Sequence, residues 1–253
     1  MKLLSDCLLV FRRSLRQTMR NPTWVVFNLG QPIFYLVLFG PLLKNAATAQ
    51  GFPPGGAFNV FVPGLAVQMS LFGTAFVGFT LLTELRSGVL ERLQVTPISR
   101  LALLIGRTAR DVLALALQVV FLLLLAVPFG LDADPAGAAA VIGLVLLLGV
   151  AFSALSYSLA LALRSEEALT SLLYSTSVPL LLLSGVLLPL SLAPEWLQRV
   201  AAANPLSHAV TAARALFSGE TWGADVGVGV GVVVALAAAS LFLAARRFQR
   251  TIA

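Results

Sequence analysis

Charged residues are scarce in this chain: they make up 11% of its 253 residues, against about 25% in an ordinary soluble domain. Cysteine occurs once, at Cys7, which excludes an internal disulfide and any disulfide-built scaffold. Histidine also occurs once, at His208, so no His/Cys zinc site can be assembled. No Ser/Asp arrangement at a recognisable spacing accompanies His208, which favours a structural or interfacial histidine over a general base. Lysine is confined to Lys2 and Lys44, which follow Met1 and Leu43. A phosphate-cradling loop needs a Gly-Lys pair, so no Walker-type nucleotide site is expected here. What is plentiful is apolar: 58% of the residues are hydrophobic, and the mean hydropathy is +0.93. A globule of this size lacks the interior to hide that surface, which must face lipid. The composition defines an integral membrane protein and excludes a soluble enzyme and a disordered chain.

A helix needs roughly 20 apolar residues to cross a bilayer. Six stretches qualify: 24–43, 58–83, 108–131, 136–163, 167–190 and 226–245. A tight turn with Asp132, Asp134 and Pro135 divides the third from the fourth, and Arg164 to Glu167 is the only break before the fifth. The formal net charge is +6, and fifteen of the 17 basic residues are Arg. They sit at the ends of apolar runs, a pattern that sets topology and argues against a nucleic-acid partner. With the N-terminus in the cytoplasm, inside segments collect 14 Lys and Arg, and outside segments only 3, Lys44, Arg199 and Arg214. That asymmetry predicts that both termini are cytoplasmic. The Arg, Ala, Gly and Val bias points to a GC-rich bacterial genome, and hence to a bacterial plasma membrane.

Wound as a helix, residues 1–21 place Leu4, Leu8, Phe11, Leu15 and Met19 on one face, with Arg12, Arg16 and Arg20 in a stripe beside it. Such a helix is expected to lie along the cytoplasmic interface; the plainer alternative is a basic topogenic flank. Ionisable groups are missing from the middle of every span. Glu84, Arg110, Asp111, Glu166 and Glu167 all fall at cytoplasmic ends, which disfavours a coupling-ion mechanism. An ion held by carbonyls stays open. The polar groups within spans are neutral. Asn28 and Gln31 share a helical face before Pro32, and Gln68, Gln118 and Ser175 lie on later spans. With Tyr35 and Phe72 to stack on an apolar cargo, Asn28, Gln31, Gln68 and Ser175 form a candidate pathway. The alternative is interhelical hydrogen bonding, worth about 0.6–2 kcal/mol each.

Between the second and third spans lies a charged stretch, ELRSGVLERLQVTPISRLALLIGR, residues 84–107. Leu85, Val89 and Leu93 are expected to line one face of a short helix, from which Arg86, Glu91 and Arg92 project. Thr96-Pro97 ends that helix, and Ser99 is placed to cap the next. An amphipathic helix hung between two spans suits docking on a soluble partner; an ordinary surface loop is the alternative. The run from Gly88 to Arg100, G-x-x-E-R-L-x-x-T-P-I-S-R, followed by Gly106-Arg107, resembles the cytoplasmic motif of ABC-2 type permeases. The similarity is greatest to the daunorubicin/doxorubicin-resistance exporters and their glycolipid-exporting relatives. A second likeness runs through residues 180–219, carried by Pro-Glu-Trp-Leu at 194–197 and Asn-Pro-Leu-Ser-His at 204–208.

The resemblance implies a single domain, 1–253, of the all-α type V exporter kind. Its parts are six transmembrane helices, the interfacial helix 1–21, the cytoplasmic coupling segment 84–107 and a re-entrant outer pair at 191–218. It implies a dimer, homo- or heteromeric, driven by a separate ATPase chain that holds the ATP and Mg, with no cofactor in this chain. The coupling residues by this likeness are Glu84, Gly88, Glu91, Arg92, Leu93, Thr96, Pro97 and Arg100. The gate is expected at Trp196, Asn204, Pro205, His208 and Arg214. The residues themselves support that outer pair. Trp196, Leu197 and Val200 recur at helical spacing, Asn204-Pro205 breaks the chain, and Leu206, Val210, Ala213 and Phe217 form a second apolar face. Two helices of about 12 residues rise only about 18 Å each and cannot span. The expected function is the non-enzymatic permease subunit of an ATP-driven exporter of amphipathic cargo: a drug, secondary metabolite or glycolipid. An ion-coupled transporter or channel subunit is the alternative.

Overall fold

The computed structural model describes residues 2–19, 30, 33–38, 57–88, 99–131, 134–186, 190, 193–220 and 223–251. The side chains of 2–5, 17–19, 57, 100 and 251 are outside that description. The described elements are helical: α1 Lys2–Met19, α2 Ala57–Ala75, α3 Gly78–Arg86, α4 Arg100–Ala126, α5 Pro135–Leu163, α6 Glu166–Leu182, α7 Glu195–Ala201, α8 Pro205–Phe217 and α9 Ala224–Thr251. No strand occurs among the described residues.

Four helical stretches among the described residues are long and apolar enough to cross a membrane: Phe58–Arg86, Leu101–Phe129, Pro135–Leu163 and Ala224–Arg250. They answer to the second, third, fourth and sixth predicted spans. The fifth stretch carries α6, a helix of 17 residues with Pro179 inside it. Of the first stretch, only Gly30 and residues 33–38, all helical, are described.

The helix that carries the third predicted span starts at Arg100, where Ser99 Oγ accepts the Ala102 N–H at 3.1 Å and caps it, as the place of Ser99 in the sequence leads one to expect. Arg107, Arg110 and Asp111 are therefore inside a helix. One expectation is corrected at its start: Glu84 and Leu85, expected to open a short helix that runs on through Val89 and Leu93, instead finish α3, which ends at Arg86; residues 89–98 lie outside the described residues. Ser87 N–H bonds the Thr83 carbonyl, Gly88 N–H bonds that of Leu85, and Gly88 takes φ 67°. A left-handed glycine just past the last turn is a stop that an L side chain disfavours.

Helix α5 is the hub, packing against α2, α3, α4, α8 and α9. It is apolar on all sides, as a helix surrounded by protein and lipid must be. Its buried small residues Gly149, Ala151, Ser153, Ala154 and Ser156 let neighbours close in. Close approach also fixes α9 on α8: a Cβ at Gly229 would collide with Ala212 and the His208 carbonyl. At the opposite end, α1 lies along α4 with Val10 over Gly106, and Asp6 Oδ2 accepts the Ser99 N–H at 3.4 Å. Leu8, Leu9, Arg12, Arg13 and Arg16 stay exposed on α1. Burial, reinforced by Asp6, raises the Cys7 thiol above its usual pKa, so this cysteine is a poor nucleophile near neutral pH.

The second span is broken. Helix α2 stops at Ala75, Phe76 and Val77 form a turn, and α3 resumes at Gly78. Without water, the freed backbone groups need partners inside the protein. One hydroxyl serves both sides of the gap: Ser156 Oγ donates to the Ala75 carbonyl and accepts the Gly78 N–H at 2.9 Å.

Candidate functional sites at the two ends of the bundle

At the end where α3 stops and α4 starts, five polar residues converge in an apolar setting. Arg107 of α4 forms an ion pair with Glu84 of α3. Arg110 Nη2 lies 2.6 Å from its neighbour Asp111 Oδ1. Tyr157 of α5 donates to Asp111 Oδ2 at 2.6 Å and takes a longer bond, 3.4 Å, from Arg110. Asp111 is 5% exposed and Tyr157 fully buried. Buried charges persist only when paired and hydrogen-bonded; here two cations meet two carboxylates and the cluster is formally neutral. The sequence held a usable signal, since Glu84, Arg107, Arg110 and Asp111 balance to zero around two apolar runs. The contribution of Tyr157, 46 residues from Asp111, had none. A looser pair on the same end, Arg86 Nη1 to Glu166 Oε1 at 3.0 Å, ties α3 to the start of α6.

The residues expected to couple to a partner divide accordingly. Glu84 faces Arg107 within the protein, Gly88 terminates α3, and Arg100 opens α4. Glu91, Arg92, Leu93, Thr96 and Pro97 lie outside the described residues.

The expected pathway residues are scattered. Gln68 Nε2 donates to the Tyr35 hydroxyl at 3.0 Å, so these two hold α2 to the 33–38 helix. Phe72 is half-buried further along α2, while Ser175 is exposed on α6 and bonds its own Leu172 carbonyl. Asn28 and Gln31 lie outside the described residues.

At the other end, the chain forms two short helices separated by a proline corner. Helix α7 carries exposed Trp196 and Val200. Asn204 caps α8, its side chain accepting the Leu206 N–H at 3.0 Å and donating to the Leu180 carbonyl at 2.7 Å. Pro205 holds the first helical position, where its missing N–H costs nothing. Leu206, Val210, Ala213 and Phe217 are all buried, as their spacing predicted. His208 bonds the Ala202 carbonyl at 2.8 Å and closes the corner. Arg214 reaches inward and donates to three carbonyls: Val60 at 2.9 Å, Gly185 at 2.8 Å and Val186 at 3.2 Å. It thereby pins α8 to the first turn of α2 and to the chain just past the end of α6.

These features define a multi-pass helical membrane protein with a broken second span, a buried charge cluster at one end and a folded-back helix pair at the other. Residues 5–218 match the model of the ABC-2 type transporter family, and the chain belongs to that family. It is 31% identical over 214 residues to the ycf38 transport permease of Porphyra purpurea, covering 83% of this chain and 73% of the relative. To the corresponding permease of Cyanophora paradoxa it is 28% identical over 221 residues, 87% of this chain and 76% of the relative. To a daunorubicin resistance ABC transporter permease protein of Streptomyces coeruleorubidus it is 28% identical over 218 residues, 82% and 73% of the two chains. The chain is thus the membrane subunit of an ABC transporter, and ATP hydrolysis falls to a partner ATPase.

Proposed function

We propose that this permease exports an amphipathic compound, a drug, secondary metabolite or glycolipid, across a bacterial plasma membrane. It works as a homo- or heterodimer beside two ATPase chains that bind ATP and Mg, with both of its termini cytoplasmic. The observation that carries the reading is the family match together with the drug-resistance permease among the relatives. The ATPase docks on the segment that begins at Gly88 and holds Glu91, Arg92, Leu93, Thr96 and Pro97, up to Arg100. Glu84 plays a different part: it passes force from that segment to α4 through Arg107. Closure of the ATPase pair shifts the permease between two arrangements, each favoured by one nucleotide state. The outer pair, with Trp196, Asn204, Pro205, His208 and Arg214, forms the gate. Arg214 acts there as an anchor, since its Nε and Nη2 donors are committed to carbonyls.

The test uses the permease co-purified with its ATPase in proteoliposomes. Cargo-stimulated ATP hydrolysis and ATP-driven efflux are expected, and Glu91→Ala should lower efflux several-fold at unchanged expression. Efflux that needs an ion gradient and ignores ATP would overturn the proposal in favour of an ion-coupled transporter.

A further inference from the structure

A cavity of about 160 Å³ lies where the broken second span meets α4. Its apolar walls include Phe72, Phe76 and Leu115, and its polar groups include Arg110, Asp111 and Gln118. We propose that this cavity is a binding site for one neutral aromatic ring bearing a hydroxyl or amide group.

Four observations carry the assignment. The volume matches that of a cavity able to take a single six-membered ring, about 150 Å³. Phe72 and Phe76 are stacked on one another, with ring centroids 6.1 Å apart and planes 11° apart, so they offer an aromatic surface that a third ring can extend. Gln118 is 6% exposed, and among the described residues no group donates to or accepts from its amide. The amide opens onto the cavity, where a ligand hydroxyl or amide supplies the partner the protein does not. Charge decides the rest. Asp111 is already neutralised by Arg110 and bonded by Tyr157, so an ionic ligand would be desolvated with no counter-charge to meet it.

The proposal is independent of export and of the ATPase, and its test needs neither. The full chain in lipid nanodiscs is titrated with para-fluorophenol and followed by fluorine NMR, with empty nanodiscs as the partition control. Saturable binding is expected for the phenol. Fluorobenzene, para-fluorobenzylammonium and para-fluorobenzenesulfonate should bind at least about tenfold more weakly. Gly73 lines the same cavity, and a Cβ there would sit 3.5 Å from Gln118 Oε1. Gly73→Leu should therefore fill the space and abolish binding. Gln118→Leu, which removes the amide and keeps the bulk, should erase the preference for phenol over fluorobenzene. No saturable signal above empty nanodiscs overturns the proposal, as does wild-type affinity in Gly73→Leu. If that variant does not fold, a phenol preference retained in Gln118→Leu overturns it instead.

Discussion

Both ends of the bundle draw arginine side chains inward, and they satisfy them by different chemistry. At the α3–α4 end, Arg107 and Arg110 face Glu84 and Asp111, so each cation meets a carboxylate. At the α7–α8 end, Arg214 faces no carboxylate among the described residues and is held by the carbonyls of Val60, Gly185 and Val186. Two of those carbonyls follow the end of α6, where a helix leaves acceptors without intrahelical donors. A single guanidinium, with its planar fork of donors, is the side chain that can gather several such acceptors at once. The difference separates two jobs. An ion pair holds two side chains that can part and re-pair, which suits an element meant to move. A carbonyl clamp splices main chain to main chain and suits an anchor. None of these three arginines is a free charge.

The largest effect tests whether the α3–α4 end depends on pairing. Glu84→Ala strands Arg107 inside the protein, and breaking a buried pair costs about 3–5 kcal/mol. The low end is expected, since Glu84 keeps some exposure. Glu84→Leu combined with Arg107→Met, an apolar replacement of the whole pair, should restore most of that loss. Thermal unfolding of the purified chain in one detergent gives both values as a double-mutant cycle. A stable Glu84→Ala single variant would erase the distinction between the two ends.

A smaller effect sharpens it from the other side. Arg214→Lys keeps the charge but replaces a fork by a point donor, losing bonds to carbonyls worth about 1.5–3 kcal/mol each when the donor is charged. A net cost of about 2 kcal/mol is expected. Arg107→Lys should cost clearly less, because an ammonium can still pair with Glu84. Equal costs at the two positions, measured by the same unfolding assay, would mean that the geometry of the guanidinium matters no more at the clamp than at the pair.

What the sequence displayed of this arrangement depended on how local the cause was. Spans, the Ser99 cap and the Asn204-Pro205 corner follow from neighbouring residues, and so does the buried face of Leu206, Val210, Ala213 and Phe217. The stop at Gly88 was also legible, as a glycine after a last helical turn ending in Arg86. The amphipathic spacing of Leu85, Val89 and Leu93 pointed the other way. The hydroxyl bridge from Ser156 to Gly78 joins residues 78 apart, and Arg214 bonds Val60 across 154 positions. No local pattern announces such partners. Ser156 reads as one of several small residues on an apolar helix, and Arg214 as an ordinary outside charge. Of the candidate site residues, those supplied by family likeness at 91–97 lie outside the described residues. Tyr35 and Gln68, expected as pathway groups, bond each other.

The smallest effect is expected where the charged end meets water. Arg86 and Glu166 approach to 3.0 Å, but their side chains are 62% and 40% exposed. An ion pair in that setting gains little Coulomb energy, is screened by salt and spends side-chain entropy to form. Its worth is about 0.2–1 kcal/mol. Arg86→Ala should therefore leave the unfolding temperature nearly unchanged, and the small cost that remains should shrink further at high salt. Glu84 lies only two residues before Arg86 on the same helix, and removal of its pair with Arg107 of α4 should show little response to salt because burial excludes the screening ions. Running both variants at low and high ionic strength thus tests burial itself as the source of the difference. A salt-insensitive cost above about 2 kcal/mol for Arg86→Ala would show that the α3–α6 contact belongs to the buried cluster. The charged end would then extend from α4 and α5 through to α6 as one unit.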